Sequence, residues 1–146
     1  MSEIIDSLIW DRVQSDVDNL TKKAYIDHED LNRVERAVKW VSYVLNKYGY
    51  RNVTHNKMNW KMSDFRTDKD MDRLKKNIDA IRDAYYTTES TPLTPSKITY
   101  TSIYQANAIE KIIYDLGCLI EKSFPGPYRL GFKLGTNVIG NRGIII

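Results

Sequence analysis

Asp27-His28-Glu29-Asp30-Leu31-Asn32-Arg33-Val34-Glu35-Arg36-Ala37-Val38-Lys39-Trp40-Val41-Ser42-Tyr43-Val44-Leu45 is the stretch whose pattern decides the fold. Asp27 has the short side-chain oxygen of a helix N-cap. Asp30, three residues on, completes a capping-box variant with Asp where Glu or Gln is usual. Apolar residues follow at Leu31, Val34, Val38, Val41 and Leu45, offsets of 4, 7, 11, 14 and 18 from the cap. Thr67 with Asp70 opens a second copy of this template, whose stripe is Met71, Leu74, Ile78, Ile81 and Tyr85. Ser102 with Gln105 opens a third, whose stripe is Ala106, Ile109, Ile113, Leu116 and Ile120. The 3-4-3-4 spacing keeps each stripe on one helix face, so three amphipathic helices are expected.

The first and third helices match beyond the stripe. Tyr25, Asn32, Glu35 and Arg36 recur as Tyr100, Asn107, Glu110 and Lys111, each displaced by 75 residues. Two accounts fit this: an internal repeat, or two amphipathic helices meeting the same demands. Each stripe lasts under three heptads, which favours a bundle core within one chain over an intermolecular coiled coil.

Outward from these helices, Val13, Val17, Leu20 and Ala24 suggest an earlier helix from about Asp11 to Lys23, anchored at its start by Ile9 and Trp10. Ile26 before the Asp27 cap faces Leu31 as a hydrophobic staple. The short turn makes this helix and the Asp27 helix antiparallel neighbours. Gly49 is placed to end the Asp27 helix in a left-handed cap. Tyr50 to Arg66 lacks a helical period and reads as a loop, with a short strand near Val53 and with Trp60 and Phe65 as anchors. Thr87 to Thr99, with Pro92 and Pro95, reads as a second loop. Phe124-Pro125-Gly126-Pro127 stops the last helix. Trp40, Tyr43 and Tyr48 either bind sugars from the surface or pack between helices, and packing is expected of Trp40, one step from the Val41 stripe position.

The last twenty residues differ in kind. Tyr128, Leu130, Phe132 and Leu134 alternate with Arg129, Gly131, Lys133 and Gly135, a strand period of two. Gly140-Asn141-Arg142-Gly143 is a tight-turn signal between Val138-Ile139 and Ile144-Ile145-Ile146. A lone hairpin is marginal in water, and an exposed isoleucine triplet invites aggregation, so something must cover this arm. It either folds onto its own bundle or adds strands to a neighbour; the Pro-Gly-Pro break favours the neighbour. The fold class expected is therefore mainly α: a bundle of about four helices over residues 1–123, and an extended β-rich arm over residues 124–146.

The chain has 146 residues, 42% apolar and 28% charged. That suffices for one packed domain, or a domain plus an arm, without disulfides or metal. The one cysteine, Cys118, excludes an internal disulfide and a cysteine-built metal site, and reads as a small packed residue. No apolar run reaches membrane-helix length, and the acidic start Met1-Ser2-Glu3-Ile4-Ile5-Asp6 lacks the basic region of a secretory signal. Charge is uneven: residues 1–35 hold nine acids and four bases, whereas the remainder is net +8. The bases are scattered singly, which fits subunit docking through opposite charges better than nucleic-acid binding.

Chemistry finds little purchase. His28 falls in a helix's first turn and His55 in a polar loop, and neither stands at metal-ligand spacing. Asp27, Glu29 and Asp30, like Asp64, Asp68, Asp70 and Asp72, are explained by capping and helix ends. The glycines build no phosphate loop. A converging carboxylate pair for glycoside cleavage stays open, but nothing selects one. No catalytic residue, metal site, cofactor or small-molecule ligand is expected.

The run Trp10-Asp11-Arg12-Val13-Gln14-Ser15-Asp16-Val17, the Asp-Leu-Asn-Arg-Val-Glu core at Asp30 to Glu35, and Tyr48-Gly49-Tyr50 resemble a family of small phage-type structural proteins of Clostridia and related Firmicutes. Lys57 to Trp60, Asp64-Phe65-Arg66-Thr67, Met71-Asp72-Arg73, Asn77-Ile78, Ile81-Arg82 and Tyr100 to Glu110 continue the resemblance, which spans roughly residues 10 to 115. It implies a non-enzymatic subunit of a phage tail or tail-like particle, at the baseplate or tail-fibre attachment region, assembled in the host bacterial cytoplasm. Other tail or baseplate proteins and copies of itself are the implied partners. The arm lies beyond the resemblance. On physical grounds Tyr128, Leu130, Phe132, Leu134, Ile144 and Ile145 are its expected anchors. Two alternatives stand beside this: a small phage nucleic-acid-binding regulator using the bases from Arg36 to Lys61, and a cell-wall-binding module using exposed aromatics.

Overall fold

The Asp27 template folds as its residues dictate. In a computed structural model, which describes residues 3–21, 26–100 and 102–123, Asp27 Oδ1 accepts from the Glu29 and Asp30 amides at 3.0 and 3.1 Å, and Asp30 Oδ2 accepts from the Asp27 amide at 3.0 Å. The helix it opens, α3, spans His28–Lys47, and its stripe residues are buried. It ends in a Schellman motif: Gly49 sits at φ +93°, its amide donates to the Asn46 carbonyl, and the Tyr50 amide donates to the Leu45 carbonyl at 2.8 Å. Thr67 caps α4 (Asp68–Ala84), with Oγ1 accepting from the Asp70 amide. Ser102 caps α5 (Ile103–Ser123), with Oγ accepting from the Tyr104 amide. Two short helices, α1 (Glu3–Asp6) and α2 (Gln14–Asp18), precede them. The described residues are thus mainly helical and contain no strand.

The three long helices run parallel. At one pole Arg66, just before the Thr67 cap, donates to the Ile26 carbonyl and lies over the Tyr100 ring. At the other, the Tyr50 ring meets Tyr85 at 4.9 Å, and the Tyr85 hydroxyl bonds Ser123 at 2.7 Å. The chain must therefore run back the length of the bundle after α3 and again after α4. The first return passes between α3 and α4, touching Asn46, Asn77, Glu35 and Asn32 in turn. The second passes between α4 and α5: Arg82 donates to the Pro92 carbonyl, Thr91 to Asp115, and Gln105 receives the Thr99 and Tyr100 amides. Residues 8–12 fill the third groove, between α5 and α3. The result is an approximate threefold: three parallel helices with one extended segment in each groove, around a core of aliphatic side chains.

Some expectations need correction. The helix from Asp11 to Lys23 is reduced to the five residues of α2 within the described residues. Residues 9–12 are held extended by α5, and Leu20 at φ +54° breaks the helix beyond Asn19. Val13, Val17 and Leu20 are exposed and form no core-facing stripe. The antiparallel pairing with α3 accordingly does not form. The segment near Val53 is extended but pairs with helix side chains, so no strand results. Trp60 anchors that return as expected, whereas Phe65 is exposed. Trp40 packs against the core, and Tyr43 faces solvent.

Candidate functional site

An extended segment lying against a helix leaves its backbone amides and carbonyls without a ladder partner, and buried groups of that kind must be satisfied. Here asparagine side chains supply the ladder. Asn32 accepts from the Trp60 amide at 2.8 Å and donates to the Trp60 carbonyl at 3.0 Å. Asn107 does the same for Arg12, at 3.1 and 2.8 Å. Asn77 clamps His55, at 2.9 and 2.8 Å, and Asn46 clamps Asn52, at 2.9 and 3.0 Å.

Two buried glutamates complete the arrangement. Glu35 stands three residues beyond Asn32, and Glu110 three beyond Asn107. Glu35 Oε1 accepts from the Lys57 amide at 3.0 Å, three residues before Trp60, and Glu110 Oε1 accepts from the Ile9 amide at 3.0 Å, three before Arg12. Each glutamate also takes an arginine fork from the neighbouring helix. Arg73 of α4 reaches Glu35 at 2.6 and 3.1 Å, and Arg33 of α3 reaches Glu110 at 2.9 and 3.0 Å. The last position of each carboxylate is filled from its clamped segment, by the Trp60 indole N–H at Glu35 and by Arg12 Nη2, 2.8 Å from Glu110 Oε2. All four acceptor positions of Glu35 face N–H groups, whereas Glu110 accepts three hydrogen bonds and meets Arg12 Nη2 as an ion pair without hydrogen-bond geometry.

Counted from the caps, Asn stands fifth and Glu eighth in α3 and α5, while Arg stands sixth in α3 and α4. The equivalent positions in α4 are Asp72 and Lys75, and in α5 the Arg position is Ala108. The α4–α5 groove therefore lacks the fork and is held by Arg82, Thr91 and Gln105 instead.

The charges respond to this packing. Burial, partly offset by Arg33 at 2.7 Å, raises the Asp30 carboxyl above its usual range. Burial opposes the Arg33 charge, but Glu110 and Asp30 outweigh it and hold the guanidinium more firmly protonated than usual. Tyr100, at φ +52°, carries a buried hydroxyl with no hydrogen-bond partner among the described residues. Burial, and then the nearby Glu110, push its ionisation far upward.

Two concave places on the described surface stand out. A cleft of about 280 Å³ at the N-terminal pole is lined by Ile26, Leu31, Trp60, Met62 and Phe65 with polar neighbours. A second hollow on α4 lies among His55, Lys69, Asp72, Arg73 and Lys76. Among the described residues no group of three or more His, Cys, Asp or Glu is placed to hold a metal ion, and no helix is long and apolar enough to cross a membrane. Cys118 is half-buried on α5.

The predicted arm anchors Tyr128, Leu130, Phe132, Leu134, Ile144 and Ile145 lie outside the described residues. The sequence displayed the Asn and Glu recurrence without its job, and Arg12, Arg33 and Arg73 stood in the quoted motifs without any role assigned to them. The arginines recur between α3 and α4, a different pair of helices, so the displacement of 75 could not reveal them. Compared with family models, with curated proteins and with solved structures, the chain matches none.

Proposed function

We propose that this chain is a non-enzymatic structural subunit of a phage tail or tail-like particle, in the baseplate or tail-fibre attachment region. It docks to other tail proteins or to copies of itself through Tyr128 to Ile146. The observation that carries this reading is that all three grooves of the bundle already hold an extended segment. Residues 124–146 follow α5 with no groove of the same kind left to enter, and their alternating apolar residues call for a cover elsewhere. The saturation of Glu35 and Glu110 supports the reading too, since both buried carboxylates are spent on holding the chain in place. The family resemblance supplies the particle.

Deletion of residues 125–146 tests it. The truncated chain is expected to keep its helical circular dichroism and to be missing from particles purified from cells that make the remaining tail proteins. Incorporation at the wild-type level overturns the reading.

A further inference from the structure

We propose that the N-terminal cleft receives the segment Tyr128 to Leu134 of a second copy, so that chains join head to tail. The inference rests on the structural-subunit reading and names its partner. Leu31 and Trp60 in the cleft are buried, but Met62 is 87% and Phe65 85% exposed, an apolar rim with nothing seated on it among the described residues. An extended Tyr128 to Leu134 presents Tyr128, Leu130, Phe132 and Leu134 on one face.

The route decides which copy supplies the segment. Ser123 lies beside Tyr85 at the C-terminal pole, and the cleft is at the opposite pole. Within one chain the segment would retrace the length of α5, about 30 Å, across grooves already filled. Between copies, one C-terminal pole faces the next cleft, and Tyr128 lies only about 16 Å of extended chain past Ser123. Such a contact is heterologous and repeats from copy to copy.

Light scattering on full-length proteins tests this, with helical circular dichroism as the folding control. Wild type is expected to rise with concentration to at least twice its 17.0 kDa chain mass. Met62→Ser/Phe65→Ser and Leu130→Ser/Phe132→Ser are each expected to stay monomeric. Their equimolar mixture is expected to stop at the dimer, because only one intact cleft meets one intact segment. A cleft variant that associates like wild type, beside a monomeric segment variant, overturns the cleft assignment and leaves arm docking standing. A segment variant that still associates overturns both. A monomeric wild type overturns self-docking and leaves the particle-incorporation test to judge the subunit reading.

Discussion

Asn32 and Asn107, 75 residues apart, hold the backbone in the same way: each accepts from the amide and donates to the carbonyl of one residue in an extended segment, Trp60 for one and Arg12 for the other. The glutamates three residues on repeat the likeness, down to the backbone amide three residues upstream of the clamped one. The stripe positions are different residues from the clamps. The likeness is one of role within the fold, and Asn46 and Asn77 make the same clamp outside the recurrence, so both accounts of it stand.

The two asparagines should therefore cost alike when lost. Asn32→Ala and Asn107→Ala each strand one amide and one carbonyl, and an unsatisfied buried group costs about 1–3 kcal/mol. Urea unfolding should show each variant destabilised by roughly 2–4 kcal/mol, with the pair agreeing within about 1 kcal/mol. A cost near zero at either site would remove the clamp from the account of stability.

The arginine forks should differ in weight. Glu110 faces the fully buried Arg12 side chain as well as Arg33, whereas the Arg73 side chain at Glu35 is 23% exposed. Glu110→Ala leaves the Arg12 and Arg33 guanidinium groups sharing Asp30 as their counter-charge, 3.8 and 2.7 Å away, at a cost of about 3–5 kcal/mol. Arg73→Ala also strands a buried carboxylate, but it opens Glu35 to water from the partly exposed side that Arg73 covers, so it should cost less. A double-mutant cycle of Arg33 and Glu110 should return the larger coupling and change least with added salt.

Tyr100 predicts a pH effect whose sign is fixed. Its folded ionisation lies above the ordinary value of 10, for reasons of burial. The folded state thus holds this proton more tightly than the unfolded chain, so its stability contribution is intact below pH 10 and lost as pH rises above it. Wild type should lose about 1.4 kcal/mol per pH unit there relative to Tyr100→Phe. At pH 7 the phenylalanine variant should be neutral or more stable by up to about 1 kcal/mol, since the hydroxyl it removes is buried without a hydrogen-bond partner among the described residues. Equal alkaline slopes for the two proteins would sink this.

Gly117 makes a local prediction. A Cβ there would meet three carbons of Ile5 at 2.7, 2.8 and 2.9 Å. Alanine is the better helix former by about 1 kcal/mol, but the crowding acts on the branched Ile5 side chain and not only on its tip. Gly117→Ala should release α1, seen as faster amide exchange over residues 3–8, and Ile5→Ala should restore it in part. Unchanged exchange would show that α1 has room to shift.

The caps and stripes were legible in the sequence because they are local: Asp27 with Asp30, the 3-4 spacing from Leu31 to Leu45, and Gly49 at the helix end all act within a few residues. Direction was not. An apolar stripe looks the same whether its neighbour runs up or down, so the stripes of α3, α4 and α5 did not show that long returns make these helices parallel. The pattern at Val13, Val17 and Leu20 misled for a related reason. The segment beside it is fixed by Asn107 and Glu110, 95 and 101 residues away, which no local window contains. The asparagine recurrence was visible, but its job depends on which segment lies opposite.

That separation has a consequence for how the protein is made. Ile9 and Arg12 leave the ribosome about a hundred residues ahead of Glu110 and Asn107. Until those emerge, Ile5 and Leu8 have no α5 to cover them. This earlier segment must be seated after the helix that follows it, with closure of a loop of about a hundred residues, the kind of contact that slows folding. α3, α4 and the return between them can be in place before α5 emerges; the circle of helices closes only afterwards.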